Sequence, residues 1–183
     1  MRTVYLIRHG RTVATPGVMI GRTDAPLAPG GRERARALAG VLAGKGIGAI
    51  FSSPLARAWE TAEIIGRALG LGPVAVGDLR EIDLGAFEGL PAAEAAGRYP
   101  GVWAARGLDL YRAAPPGGES YEGLAGRVLP AYRAALAGAA GDAVFVAHRA
   151  VIQVILAGEG GLAPEGAPGI RVDYGEMRVV RRE

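Results

Sequence analysis

Close to the N-terminus an apolar run, Val4-Tyr5-Leu6-Ile7, stops at Arg8-His9-Gly10. Consecutive apolar residues with β-branched and aromatic members read as a buried strand. A strand that is apolar on both faces needs cover on both, which is the situation in parallel α/β sheets. Ligands of such sheets bind beyond the carboxyl ends of the strands, where Arg8 and His9 fall. Gly10 then lets the backbone turn. A cation beside an imidazole that can act as a nucleophile points to an anion, most simply a phosphate.

A second stretch repeats this grammar. Ala143-Val144-Phe145-Val146-Ala147 is again an apolar strand, and it ends in His148-Arg149. The chain holds two histidines, and both stand at the end of such a strand. A solitary histidine is commonly structural, but two in one context argue for a shared site.

The chain between them alternates helix and strand patterns. After His9, residues 13–29 form a polar, Gly/Pro-rich loop containing Gly21-Arg22-Thr23-Asp24-Ala25-Pro26-Leu27. A loop of this length placed there can fold over the same pocket. The spacing of Ala35, Leu38, Ala39 and Leu42 predicts a helix over 30–44, followed by a short strand over 48–52. Ser53-Pro54 reads as a helix start, with the helix running to about residue 69. Arg57 falls in its first turn, where a cation opposes the helix dipole and an anion would relieve it. A third strand is predicted over 73–76. Behind it Glu81, Asp83 and Glu88 lie among apolar residues and glycines, surroundings that raise a carboxyl pKa and suit a general acid. Residue order does not choose among the three. A short helix follows over 91–99, and 100–112 has no clear pattern. Ser120 is placed to cap a helix reaching about residue 137, a helix covers 150–157, and 158–169 is a loop. The segments 170–174 and 177–180 read as a terminal hairpin about Gly175.

Composition narrows the classes. With 183 residues, half of them hydrophobic, the chain suits one ordered domain with a sizeable core. Its net charge is +3 and its arginines are scattered, so the dense basic stripe of a nucleic-acid binder is lacking. The absence of cysteine excludes disulfides, thiolate nucleophiles and Cys-based zinc sites, and two histidines make a His-rich metal site unexpected. No apolar run approaches the roughly 18 residues of a membrane span, and the start lacks a signal-peptide core. The expectation is a soluble cytoplasmic protein without metal or cofactor, and with neither nucleic-acid nor membrane partners.

Taken together these pieces resemble the histidine phosphatase superfamily, also called phosphoglycerate-mutase-like. Leu6-Ile7-Arg8-His9-Gly10, Gly21 to Leu27, Ser52-Ser53-Pro54-Leu55-Ala56-Arg57-Ala58 with Thr61-Ala62, and Leu79-Arg80-Glu81 with Gly85, Glu88 and Gly89 are similar to its motifs, in order. Gly117-Gly118-Glu119-Ser120 and Val146-Ala147-His148 complete the set. The resemblance implies an α/β three-layer sandwich with a mostly parallel sheet of about six strands, helices on both faces. It implies His9 as a nucleophile that becomes a phosphohistidine, and Arg8, Arg57 and His148 as ligands of the equatorial oxygens. Glu81 would be the acid and then the base. It further implies substrate-binding positions at Thr15, Gly21, Thr23, Arg80, Glu119 and Arg149.

Three positions depart from the family pattern. Arg11 replaces an acidic or polar residue, Thr15 stands where an asparagine is common, and Arg149-Ala150 replaces glycine. The short middle region and the ending after the last strand favour a phosphatase, of the kind that includes α-ribazole phosphatase, over a phosphoglycerate mutase. The implied function is a metal-independent phosphomonoesterase for a small phosphorylated metabolite. A mutase and a non-catalytic phosphate-binding regulator are the alternatives, and a homodimer is left open.

Overall fold

The computed structural model describes residues 2–182. Five strands form one sheet: β1 (Arg2–Arg8), β2 (Ile47–Ser52), β3 (Pro73–Ala75), β4 (Asp142–Ala147) and β5 (Met177–Arg182), in the order β3-β2-β4-β1-β5. All neighbours are parallel except β5, which runs antiparallel to β1. The helices are α1 (Pro29–Leu42), α2 (Ala56–Leu69), α3 (Ala92–Arg98), α4 (Pro100–Leu108), α5 (Tyr121–Ala137) and α6 (Arg149–Glu159).

Side chains alternate across a strand, and here both faces are apolar. Val4 and Leu6 of β1 join Ala143 and Phe145 of β4 under α5 and α6, against Leu124, Val128 and Ile152. Tyr5 and Ile7 join Val144 and Val146 on the opposite face, against Leu38 and Leu42 of α1 and Ala62 and Ile65 of α2. The continuous apolar runs in the sequence are therefore two cores interleaved on one strand. The helices α3 and α4 form a smaller clasp, in which Tyr99 and Trp103 pack on Phe87 at centroid distances of 5.6 and 5.7 Å.

The register of β1 on β4 pairs Arg8 with Ala147. The next residues, His9 and His148, therefore emerge side by side. The helices that follow them leave on opposite faces, which opens a crevice at the carboxyl ends of these strands.

The expected terminal hairpin does not form. The sheet has five strands, because 170–174 does not pair. Three successive carbonyls there are taken by side chains: Ile170 by Gln153 Nε2 at 2.6 Å, Arg171 by Arg178 Nη2 at 2.7 Å, and Val172 by Arg8 Nη1 at 2.8 Å. The segment 100–112, unreadable in the sequence, contains α4. Ser120 does cap α5, its hydroxyl accepting the Gly123 N–H at 3.1 Å. The start of α2 is capped from afar, by Asp24 Oδ1 on the Ala56 N–H at 2.7 Å, while Ser53 accepts the Leu55 N–H at 3.3 Å.

Candidate active site

The crevice is a cleft of about 410 Å³ whose walls include Arg8, His9, Arg11, Thr15, Arg57, Glu81 and Tyr174. His9 is held at its base. Its amide donates to the Ala147 carbonyl at 3.0 Å, which ties the turn after β1 to the end of β4. Gly10 has to be glycine, since a Cβ there would lie 2.6 Å from the Gly31 carbonyl oxygen.

The imidazole's protonation follows from its neighbours. Nδ1 is 2.7 Å from the Gly10 carbonyl oxygen, which can only accept, so Nδ1 carries a hydrogen. Nε2 lies 3.2 Å from Nε of Arg57, which can only donate, so Nε2 presents its lone pair. His9 is thus neutral. Burial, with Arg57 and then Arg8 adding to it against the Gly10 carbonyl, pushes its pKa down to about 3.

Arg57 is buried in the first turn of α2, and each of its guanidinium nitrogens makes one protein hydrogen bond, which leaves an N–H on Nη1 and on Nη2. Nη1 donates to the Thr23 carbonyl at 2.9 Å and Nη2 to that of Gly21 at 2.5 Å. Gly21 and Thr23 therefore act through their backbone on Arg57, and neither residue lines the cleft. Thr61, one turn along α2, donates to the Arg57 carbonyl at 2.8 Å. Arg8 donates through Nη1 to Val172, its Nε is buried without a partner among the described residues, and its Cζ lies 3.6 Å over the Tyr174 ring. Tyr174 also packs edge-on to His9. No pattern in the sequence marked Tyr174, which lay in the expected hairpin.

Among the three carboxylates the structure separates roles by burial. Glu81 is buried, lines the cleft, and accepts the Ile82 N–H at 3.0 Å. Burial pushes its pKa up, opposed by that N–H and by Arg57, Arg8 and Arg149. Asp83 is partly exposed, accepts the Gly85 N–H and pairs with Arg22. Glu88 accepts the N–H groups of Gly21, Arg22 and Thr23.

His148 is fully buried, with its ring centroid 5.1 Å from that of His9. Its Nε2 is 2.8 Å from Ser53 Oγ, and its Nδ1 has no partner among the described residues. Burial first, then His9 and the arginines, hold its pKa well below the ordinary imidazole value. The other positions expected to bind substrate are scattered. Thr15 lines the cleft, Arg149 opens α6 next to His148 with an exposed side chain outside the lining, and Arg80 is exposed away from it. Glu119 faces Arg127, with Nε at 2.7 Å, and not the cleft.

The model of the histidine phosphatase superfamily (branch 1) matches residues 4–183. The chain belongs to the histidine phosphatase superfamily. Among its curated relatives, a bifunctional protein of Mycobacterium tuberculosis is 40% identical over 156 residues, covering 84% of this chain and 43% of that protein. The chain thus spans less than half the length of that relative. The glucosyl-3-phosphoglycerate phosphatase of Mycolicibacterium vanbaalenii is 37% identical over 178 residues, covering 92% of this chain and 78% of that one. Among solved structures, a mycobacterial glucosyl-3-phosphoglycerate phosphatase superposes with a TM-score of 0.87 at 31% identity, covering 97% and 89% of the two chains. The α-ribazole phosphatase from Shigella flexneri does so at 0.89 and 25% identity, covering 99% and 91%. Among the described residues no helix is long and apolar enough to cross a membrane.

Proposed function

We propose that this superfamily member is a phosphomonoesterase acting on a small phosphorylated metabolite in the cytoplasm, through a phosphohistidine at His9. The supporting observation is the neutral His9, whose Nε2 lone pair faces Arg57 in a cleft shared with Arg8 and the buried Glu81. Relatives named as phosphatases favour hydrolysis over transfer.

Arg8 and Arg57 neutralise the phosphate, and the unpartnered Arg8 Nε and His148 Nδ1 are its further donors. The lone pair of His9 Nε2 attacks phosphorus in line with the ester oxygen, the P–O bond breaks, and Glu81 gives its proton to the leaving alkoxide. Glu81, now a carboxylate, takes a proton from water. The water oxygen attacks phosphorus, the P–N bond breaks, and inorganic phosphate leaves with His9 neutral again. A carboxyl with a raised pKa fits both halves, since it holds its proton until the leaving group needs it.

Phosphate release from p-nitrophenyl phosphate, with chelator present, tests the reading. Turnover that disappears in His9→Ala, with an acid-labile phosphoenzyme trapped in the unmodified protein, is the expected result. Tight phosphate binding with no turnover of any monoester would mean a binding protein.

A further inference from the structure

Arg11 stands apart from the arginines around it. Arg22, Arg32, Arg127, Arg171 and Arg178 each meet a carboxylate. The Arg11 side chain is exposed on the cleft wall, and its guanidinium lies over the Tyr174 ring at 5.4 Å, without a carboxylate partner among the described residues. Its backbone is fixed. The Arg11 carbonyl accepts the Ala28 N–H at 2.9 Å, and α1 presses so closely on it that a Cβ at Gly31 would lie 2.3 Å from that oxygen. The side chain is therefore delivered to the cleft from a rigid base.

Charge counting gives it a partner. A phosphomonoester carries close to two negative charges near neutral pH. Arg8 and Arg57 match these at the bottom of the cleft, where burial raises the pKa of Glu81. Arg11 adds a third cation, and the carboxylate near it, Asp173, is taken by Arg171 at 2.9 Å. Gathering unpaired cations in one concave site costs free energy through mutual repulsion, which a more negative ligand relieves. Arg8 and Arg11 sit on one ring, at 3.6 and 5.4 Å from its centroid, so their separation cannot exceed the two distances together. An anionic group a few bonds from the phosphorus therefore falls within reach of Arg11 while the phosphate rests at Arg8.

We infer that Arg11 selects phosphomonoesters whose leaving alcohol carries a second anionic group, a carboxylate or another phosphate. This rests on the phosphatase reading and adds the substrate's charge to it. Arg11 is a specificity residue that touches the part of the substrate away from the reacting phosphorus.

The test compares matched pairs with and without the second charge: 3-phosphoglycerate against glycerol 3-phosphate, and glucose 1,6-bisphosphate against glucose 6-phosphate. The carboxylate and phosphate arms show which anion is preferred. The member with the second anionic group is expected to lead its partner in kcat/KM by about tenfold or more, the worth of one charge-assisted hydrogen bond. In Arg11→Gln that ratio is expected to collapse mainly through KM, and Arg11→Lys to restore part of it. Equal ratios in Arg11→Gln and the unmodified protein, or no preference to begin with, would overturn the inference. Turnover of p-nitrophenyl phosphate keeps the two readings apart: its presence without charge preference removes only the role of Arg11, and its absence removes both.

Discussion

Glu88 turns both carboxylate oxygens onto the backbone N–H of Gly21, at 2.9 and 3.1 Å. The amides of Arg22 and Thr23 converge on the same group at 3.2 and 3.0 Å. Successive amides around one anion make a nest, here filled by the protein itself. The carbonyls of Gly21 and Thr23 hold Arg57, so Glu88 positions the guanidinium without entering the cleft. A misplacement of about 1 Å costs a catalytic group up to roughly a hundredfold. Glu88→Ala is expected to lower kcat/KM by about tenfold to a hundredfold and to weaken inhibition by inorganic phosphate. Undiminished phosphate inhibition in that variant would mean the loop is held by other contacts.

Two glycines separate packing from function. A Cβ on Gly48 would lie 1.9 Å from the Ala140 carbonyl oxygen, far from the cleft. Gly48→Ala should cost about 1–3 kcal/mol of stability, as overpacking does, and leave KM alone. A Cβ on Gly21 would meet the Ile82 carbonyl at 2.5 Å and Glu88 Oε2 at 2.8 Å. Gly21→Ala should therefore raise the phosphate inhibition constant as well. Urea midpoints and phosphate inhibition, measured together, check the contrast.

The strands that carry the site were legible because β1 and β4 are buried on both faces and read as unbroken apolar runs. Arg57 was legible as a cation where the helix dipole disfavours one. The choice among Glu81, Asp83 and Glu88 was not, because burial separates them and burial depends on chains that arrive later. The segment at 170–174 shows the limit most clearly. Its apolar-polar alternation is that of a strand, yet Gln153 and Arg8 claim carbonyls from distant elements and Arg178 another from the strand that follows. Asp24 capping α2 is equally nonlocal.

Glu81 should weigh against the fold at neutral pH. Its folded pKa is raised, so between its ordinary value and the folded one the native state holds a proton that the unfolded chain has released. Stability contributed by this group is full below about pH 4.3 and falls as pH rises through the folded pKa. Glu81→Gln is expected to lose turnover by roughly a hundredfold or more and to raise Tm at pH 8 relative to the unmodified protein. A lower Tm at pH 8 would show that the buried carboxyl is a net support.

His9 has the opposite slope. With a folded pKa of about 3 against about 6.5 in the unfolded chain, it stays neutral where the unfolded chain takes up a proton. Its effect is absent above pH 6.5, and stability declines as pH falls from there toward 3. His148 acts in the same direction. In His9→Asn the loss of urea resistance between pH 7 and pH 5 should be smaller than in the unmodified protein. An identical loss would place the acid sensitivity elsewhere.

The position of β1 between β4 and β5 also sets when the site can exist. The first strand of this fold finds both hydrogen-bonding neighbours only in the last third of the sequence. Until Asp142–Ala147 has been synthesised, His9 has no Ala147 carbonyl to anchor it and no His148 beside it. Closing so long a loop is slow, and an apolar strand left waiting is open to wrong pairings. Recovery of activity during refolding should thus be among the last events, trailing helix formation, and a nascent chain stopped short of β4 should carry none of it.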